Sequence, residues 1–258
     1  MGMFSGILLC TDFDGTLAYK QTVCQRNVDA IKYFQEQGGL FTIITGRTQS
    51  FFKEHTEIIR PNTYLGCVNG SLIYDITADK IICESFVTGD ILTPSLKIKQ
   101  SVKNLSDVMV FRPDGIVTVS IESPSATQEL TAAMAAPVYK VIFHAHSQYP
   151  FTEENCRTVS ELLGEKFEAM RSWNCGIEVQ NRGYNKGRAA RRIAELVGAK
   201  LVVCVGDYEN DISMIKQADI GYAVGNALDS VKAAADRITV SAEEGAIAAI
   251  IEDLEGDL

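Results

Sequence analysis

The chain has 258 residues, 46% hydrophobic and 22% charged, with a formal net charge of −9. These proportions are those of a soluble globular protein with one large domain or two modest ones. The acidic balance argues against a nucleic-acid partner held by bulk electrostatics, and no apolar run approaches the roughly 18 residues of a membrane helix, so neither nucleic acid nor membrane is an expected partner.

The first stretch has no basic segment leading into an apolar core, so no secretion signal is expected. The 7 cysteines are scattered, odd in number and without a Cys-x-x-Cys pair. They read as reduced core residues of a cytoplasmic protein, not as a disulfide frame or zinc site.

Gly6-Ile7-Leu8-Leu9 is a short apolar run that reads as a buried strand. It leads into Asp12-Phe13-Asp14-Gly15-Thr16-Leu17. In extended chain, two carboxylates at i and i+2 fall on one side. Such a pair survives folding if a cation joins it or one member takes a proton. A solvated Asx turn is the plain alternative. A calcium loop is excluded, because Thr16 and Leu17 stand where it needs an oxygen ligand and a glycine.

Residues 27–37 follow with Val28, Ile31 and Phe34 at helical spacing, ended by Gly38-Gly39. Residues 40–44 form a second buried strand with Thr45-Gly46-Arg47 at its end, residues 49–59 a helix, and residues 65–68 a third strand ending in Asn69-Gly70. Residues 71–74 and 80–83 read as a hairpin.

The alternation then breaks. Runs at 108–111 and 116–121 flank Arg112-Pro113-Asp114-Gly115, a tight-turn signal. Residues 140–146 read as a strand on which His144 and His146 share an exposed face opposite Val141, Phe143 and Ala145. Val159, Leu162, Leu163 and Phe167 read as one helix face, and residues 173–180 as another strand. From Gly187 the alternation resumes: a helix to Val197 with Ala189, Ala190, Ile193, Leu196 and Val197 inward, a strand at 201–205, a short helix at 212–218, strands at 220–224 and 238–240, and a last helix marked by Ile247, Ile250, Ile251 and Leu254.

The expected fold is therefore α/β: a Rossmann-like parallel-sheet core from residues 1–83 and 184–258, interrupted by an inserted α+β domain at 84–183. Asp12, Thr45 and Asp207 each stand at the C-terminal end of a parallel strand, the edge where open α/β sheets bind ligands. Lys186 opens a helix in the same layer.

Asp12-x-Asp14-Gly15-Thr16-Leu17, Thr45-Gly46-Arg47, Asn185-Lys186-Gly187 and Gly206-Asp207-Tyr208-Glu209-Asn210-Asp211 stand in the order and spacing of the haloacid dehalogenase superfamily. With Val68-Asn69-Gly70-Ser71, the pattern resembles its Cof-type phosphatases, which carry a large inserted cap domain. The resemblance implies hydrolysis of small phosphorylated metabolites, sugar phosphates above all, through an aspartyl-phosphate. It implies Asp12 as nucleophile, Asp14 as general acid and base, Thr45 and Lys186 as catalytic donors, and Thr45, Gly46, Lys186 and Asn210 as the phosphate site. It implies Mg2+ held at Asp12, Asp14, Asp207 and Asp211, with Asp211 acting through a bound water. The inserted segment would lie as a cap over the strand ends and choose the leaving group.

Arg47 is left open between a substrate anion and a carboxylate, and Asp211 is also a candidate N-cap for the helix after it. Arg188, Arg191 and Arg192 read as a solvated helix face. Two other functions compete: a phosphosugar mutase using the same aspartyl-phosphate, and a non-catalytic binder of phosphorylated ligands. No Gly-Lys dipeptide occurs, which excludes a Walker P-loop.

Overall fold

The computed structural model describes residues 2–55 and 59–257. They divide into two compact units, one made of Met1–Glu84 with Asn185–Leu258, the other of Ser85–Tyr184. Among the described residues no helix is long and apolar enough to cross a membrane.

The first unit begins with strand β1 (Ile7–Thr11), helix α1 (Gln25–Glu36), strand β2 (Leu40–Ile43) and helix α2 (Gln49–His55). The expected helix at 49–59 runs on to residues 56–58, which lie outside the described residues. Strands β3 (Leu65–Cys67), β4 (Leu72–Asp75) and β5 (Lys80–Glu84) form a separate antiparallel sheet. The third strand thus touches the main sheet through one parallel bridge, Ile44 to Gly66, instead of extending it. It ends in a 3-10 turn at Val68–Gly70.

The second unit follows in the chain. It contains helix α3 (Leu92–Ser101), strands β6 (Leu105–Arg112) and β7 (Gly115–Ser120), helix α4 (Ala126–Met134), strand β8 (Lys140–Ala145), helix α5 (Glu153–Leu163), and strands β9 (Phe167–Trp173) and β10 (Gly176–Asn181). Its sheet is antiparallel in the order β7-β6-β8-β10-β9. Alternate residues Val108, Val110, Val141, Phe143, Ile177 and Val179 share one core with Ile98, Leu130 and Val159 of the helices, as period-two patterning requires.

Two readings of this region need correction. Phe167 opens β9 and is not on the helix, because Gly164 at φ +70 ends α5 first. The strand expected at 173–180 is two strands, β9 and β10, paired antiparallel with Trp173 opposite Gly176. Asn174 and Cys175 make the turn and Gly176 closes it, a turn signal that the expected strand ran across.

The first unit resumes with helix α6 (Lys186–Val197), strand β11 (Leu201–Gly206), a 3-10 turn at Glu209–Asp211, helix α7 (Ile212–Gln217), strand β12 (Ile220–Ala223), helix α8 (Asp229–Lys232), strand β13 (Arg237–Ile238) and helix α9 (Ala246–Asp257). Leu196, read as inward on α6, is 37% exposed. The buried stripe starts one turn earlier, at Lys186 and Gly187, and the helix face has rotated past Leu196.

The main sheet has the order β13-β12-β11-β1-β2 with every pairing parallel. All five residues of β1 are buried, the continuous apolar run of a strand covered on both faces. Leu8 and Cys10 of β1 and Val202 and Cys204 of β11 pack against Ala189, Ala190 and Ile193 of α6. Burial of side chains such as Leu8 and Leu9 contributes about 1.5–3 kcal/mol each. Strand order reverses at β1: the chain passes to β2 on one side, and β11 enters on the other. A crevice opens at the C-terminal edge of such a switch point.

Candidate active site

Asp12 follows the last residue of β1, and Asp207 follows the last residue of β11. Thr45 stands two residues after β2. Parallel pairing puts these three ends on one edge. Lys186 is the first residue of α6, whose start is held by the Asn185 side chain accepting from the Arg188 amide at 3.1 Å. Three segments far apart in sequence, those of Asp12, Lys186 and Asp211, therefore meet around one ammonium group.

Lys186 Nζ donates to Asp12 Oδ1 and to Asp211 Oδ1, both at 2.6 Å. Lys186 is 1% exposed. Its ammonium is held charged: burial works against the charge, but the carboxylates of Asp12 and Asp211 outweigh it and raise the pKa. Asp211 Oδ2 accepts from the amides of Asp207 and Tyr208 at 3.0 and 3.1 Å. Asp211 stands at the N-cap position of α7, the place the sequence offered for it, but its side chain closes its own 3-10 turn and makes no capping hydrogen bond to that helix.

Asp207 Oδ1 accepts from Thr16 Oγ1 at 2.6 Å. Gly15 is left-handed at φ +83, and a Cβ there would stand 2.5 Å from Asp207 Oδ2. A glycine is required both by the backbone and by the closeness of the two loops. The Gly15 carbonyl in turn accepts from Asn226 Nδ2 at 2.8 Å.

Carboxylate oxygens of Asp12, Asp207 and Asp211 lie within 4.8 Å of one another. Three acidic groups here face one ammonium. Burial pushes the Asp12 carboxyl well above the usual carboxylate range; Lys186 opposes this, and Asp211 and Asp207 add to it. Burial also pushes Asp207 up to about 7, reinforced by Asp211 and opposed by the Thr16 bond and Lys186. Asp12 Oδ2 and Asp207 Oδ2 accept no hydrogen bond among the described residues. Excess negative charge with uncommitted hard oxygens is the donor set of a divalent cation. The residues present fit such an ion.

Asp14 differs from Asp12. Its side chain is 49% exposed, and both its oxygens are gripped by Arg47, through Nε at 2.7 Å and Nη2 at 2.6 Å. The guanidinium lies 3.9 Å from the Phe51 ring centroid and 5.7 Å from that of Phe13. Of the two partners left open for Arg47, the structure shows the carboxylate, with aromatic support.

Thr45 is buried, its amide bonded to the Gly66 carbonyl at 2.8 Å, and its hydroxyl oxygen accepts from the Arg47 amide at 3.2 Å. Gly46 lies between them. Asn210 is 5% exposed and its Nδ2 stands 3.4 Å from Asn69 Oδ1. Arg191 and Arg192 pair with Asp219 and Glu195 on the outer face of α6. His144 Nδ1 lies 3.4 Å from Asp107 in the second unit.

Thr16, Asn69 and Asn226 also touch residues of the candidate site, although the sequence assigned them no role there. Thr16 and Asn69 sat inside motifs already singled out. Asn226, in Gly225-Asn226-Ala227, carried no spacing signal.

A family model for haloacid dehalogenase-like hydrolases matches residues 9–251. The chain belongs to this family. It is 29% identical to the 5-amino-6-(5-phospho-D-ribitylamino)uracil phosphatase YcsE of Bacillus subtilis, covering 94% of each chain. It is 28% identical to the pyridoxal phosphate phosphatase YbhA of Escherichia coli, covering 89% of this chain and 91% of that one. Among solved structures, a haloacid dehalogenase-like hydrolase from Bacteroides thetaiotaomicron superposes with a TM-score of 0.71 at 27% identity, over 96% of this chain and 98% of that one. The chain is a phosphatase of this superfamily, of the Cof type.

Proposed function

We propose that the chain hydrolyses monoesters of small phosphorylated metabolites, sugar phosphates among them, through a phosphoryl group carried transiently on Asp12. The observation that carries this reading is the buried set of Asp12, Lys186 and Asp211 beside Asp207 at one sheet edge. The match to a phosphatase of a phosphoribityl compound supports a polyhydroxylated substrate.

In the first step a carboxylate oxygen of Asp12 attacks phosphorus, the bond to the leaving oxygen breaks, and Asp14 gives that oxygen a proton. In the second, water attacks the aspartyl-phosphate, its proton passes to Asp14, and phosphate leaves with Asp12 restored. Splitting the reaction in this way replaces one slow displacement by two easier ones.

Lys186 holds Asp12 with one oxygen bound and the other open. The hydroxyl of Thr45, the Gly46 amide, the Lys186 ammonium and the Asn210 carboxamide make the phosphate site. Mg2+ would be held by the carboxylates of Asp12 and Asp207 and the Asp14 carbonyl, with Asp211 acting through a water. Bound there, it supplies charge that cancels repulsion between Asp12 and the phosphoryl oxygens. Seven cysteines that form no disulfide fit a reducing, cytoplasmic setting.

The test is phosphate release from a panel of phosphorylated metabolites, ranked by catalytic efficiency, with Mg2+ and then with EDTA. Turnover that needs the cation and favours phosphorylated sugars or polyols supports the reading. Metal-independent turnover, or none on any monoester, would refute it.

A further inference from the structure

Val68-Asn69-Gly70 is a motif to which the mechanism above gives no role. All three residues have left-handed backbone, at φ +53, +52 and +91. For Val68 this is an outlier, since a β-branched side chain crowds the carbonyl there, and such strain persists only where surrounding contacts hold it.

Those contacts reach the segments of the phosphate site. The Val68 amide donates to the Arg47 carbonyl at 2.9 Å, and the Asn69 amide donates to the Thr45 carbonyl at 2.8 Å. A Cβ on Gly70 would stand 2.6 Å from the Asn185 carbonyl, so this turn lies directly against the residue before Lys186. The Asn69 side chain is fully buried, with its Oδ1 facing Asn210 Nδ2 at 3.4 Å. One strained turn therefore touches the Thr45 loop, the start of α6 and the Asn210 turn.

We infer that Asn69 is a positioning residue: its carboxamide oxygen takes one Asn210 amide hydrogen and so fixes which way the Asn210 carboxamide faces. A primary amide can present either its oxygen or its nitrogen. An anion is bound only by the nitrogen, so an Asn210 free to turn over would offer the phosphate a repelling oxygen part of the time. Asn69 also carries the backbone bond that seats Thr45, and asparagine tolerates the left-handed region far better than most residues. This inference rests on the reading of Asn210 as a phosphate contact.

The test is calorimetric titration of the full chain, loaded with Mg2+, with inorganic phosphate. Asn69→Gly removes the carboxamide while a glycine takes φ +52 without penalty; Asn69→Ser is a second variant whose side chain is too short to reach Asn210. In whichever folds cooperatively, phosphate Kd should rise by about three- to tenfold, the range of one neutral hydrogen bond. Asn210→Ala should raise it at least as much, and the double variant should be no weaker than Asn210→Ala alone. An unchanged Kd in the Asn69 variants beside a raised one in Asn210→Ala would overturn the inference and leave the Asn210 reading standing. A double variant weakened by the product of the single effects would do the same. An unchanged Kd in Asn210→Ala would remove the reading and the inference with it.

Discussion

Lys186→Met keeps the length and stem of the side chain and removes the one ammonium among three acidic groups. In the metal-free protein the carboxylates of Asp12 and Asp211 would then lie buried without their shared partner, each having lost a 2.6 Å contact. Breaking a buried pair in this way costs about 3–5 kcal/mol, mostly the desolvation of the charge left behind. The expected result in urea unfolding at pH 8 is a loss of that size. The cost should shrink at pH 5. Asp12 is already pushed above the usual carboxylate range, and without Lys186 it moves further up, so a proton replaces the missing cation as pH falls. Stability within about 0.5 kcal/mol of the parent at pH 8, or a deficit that does not change with pH, would refute the assignment of Lys186 as the counter-charge of the site.

Metal-free protein should lose stability as pH rises through 7. The Asp207 carboxyl is raised to about 7, so the folded state keeps a proton that the unfolded chain gives up from about pH 4; saturating Mg2+ should flatten or reverse that slope in thermal melts from pH 5 to 8. Gly15→Ala should abolish phosphate release while leaving a folded chain by circular dichroism, because its Cβ meets Asp207 Oδ2 at 2.5 Å; activity within tenfold of the parent would contradict that closeness. Asp14→Asn should cost at least about a hundredfold on an alkyl phosphate and far less on p-nitrophenyl phosphate, whose leaving group needs no proton; equal losses on both would remove Asp14 as the acid. Asn27→Ala should cost about 1–3 kcal/mol in urea unfolding and leave kcat unchanged, since Asn27 Oδ1 accepts from the Ala248 amide at 3.0 Å, tying α1 to α9 away from the site.

Much of the candidate site was legible because two of its acidic residues, Asp12 and Asp207, follow closely on apolar runs. Leu8-Leu9 before Asp12 and Val203-Cys204-Val205 before Asp207 are unambiguous buried strands, and strand ends of a parallel sheet converge whatever the loops do. The fold class was legible for the same reason. What escaped were features set by tertiary contact. Asn69-Gly70 takes left-handed backbone readily, but nothing in the letters announces that Val68 joins them, since valine disfavours it and only its neighbours impose it. Arg47 could have faced a substrate or a carboxylate; the Phe13 and Phe51 rings, which support its fork on Asp14, are only joined to it in three dimensions. Nothing in the helical spacing of residues 27–37 marks Asn27 for the interior, yet it is fully buried, because Leu17 and Ala248 supply its hydrogen-bond partners from distant segments. Phe167 was misplaced because helix spacing continued past Gly164, where the backbone did not.

The most direct measurement is the steady-state rate of phosphate release by Asp12→Asn on p-nitrophenyl phosphate at saturating Mg2+, beside a thermal melt showing an intact fold. The amide keeps the shape of the side chain and cannot carry the phosphoryl group, so the mechanism requires a fall of at least about ten-thousandfold, on the scale seen when a nucleophile is removed. A folded variant turning over within tenfold of the parent would contradict it.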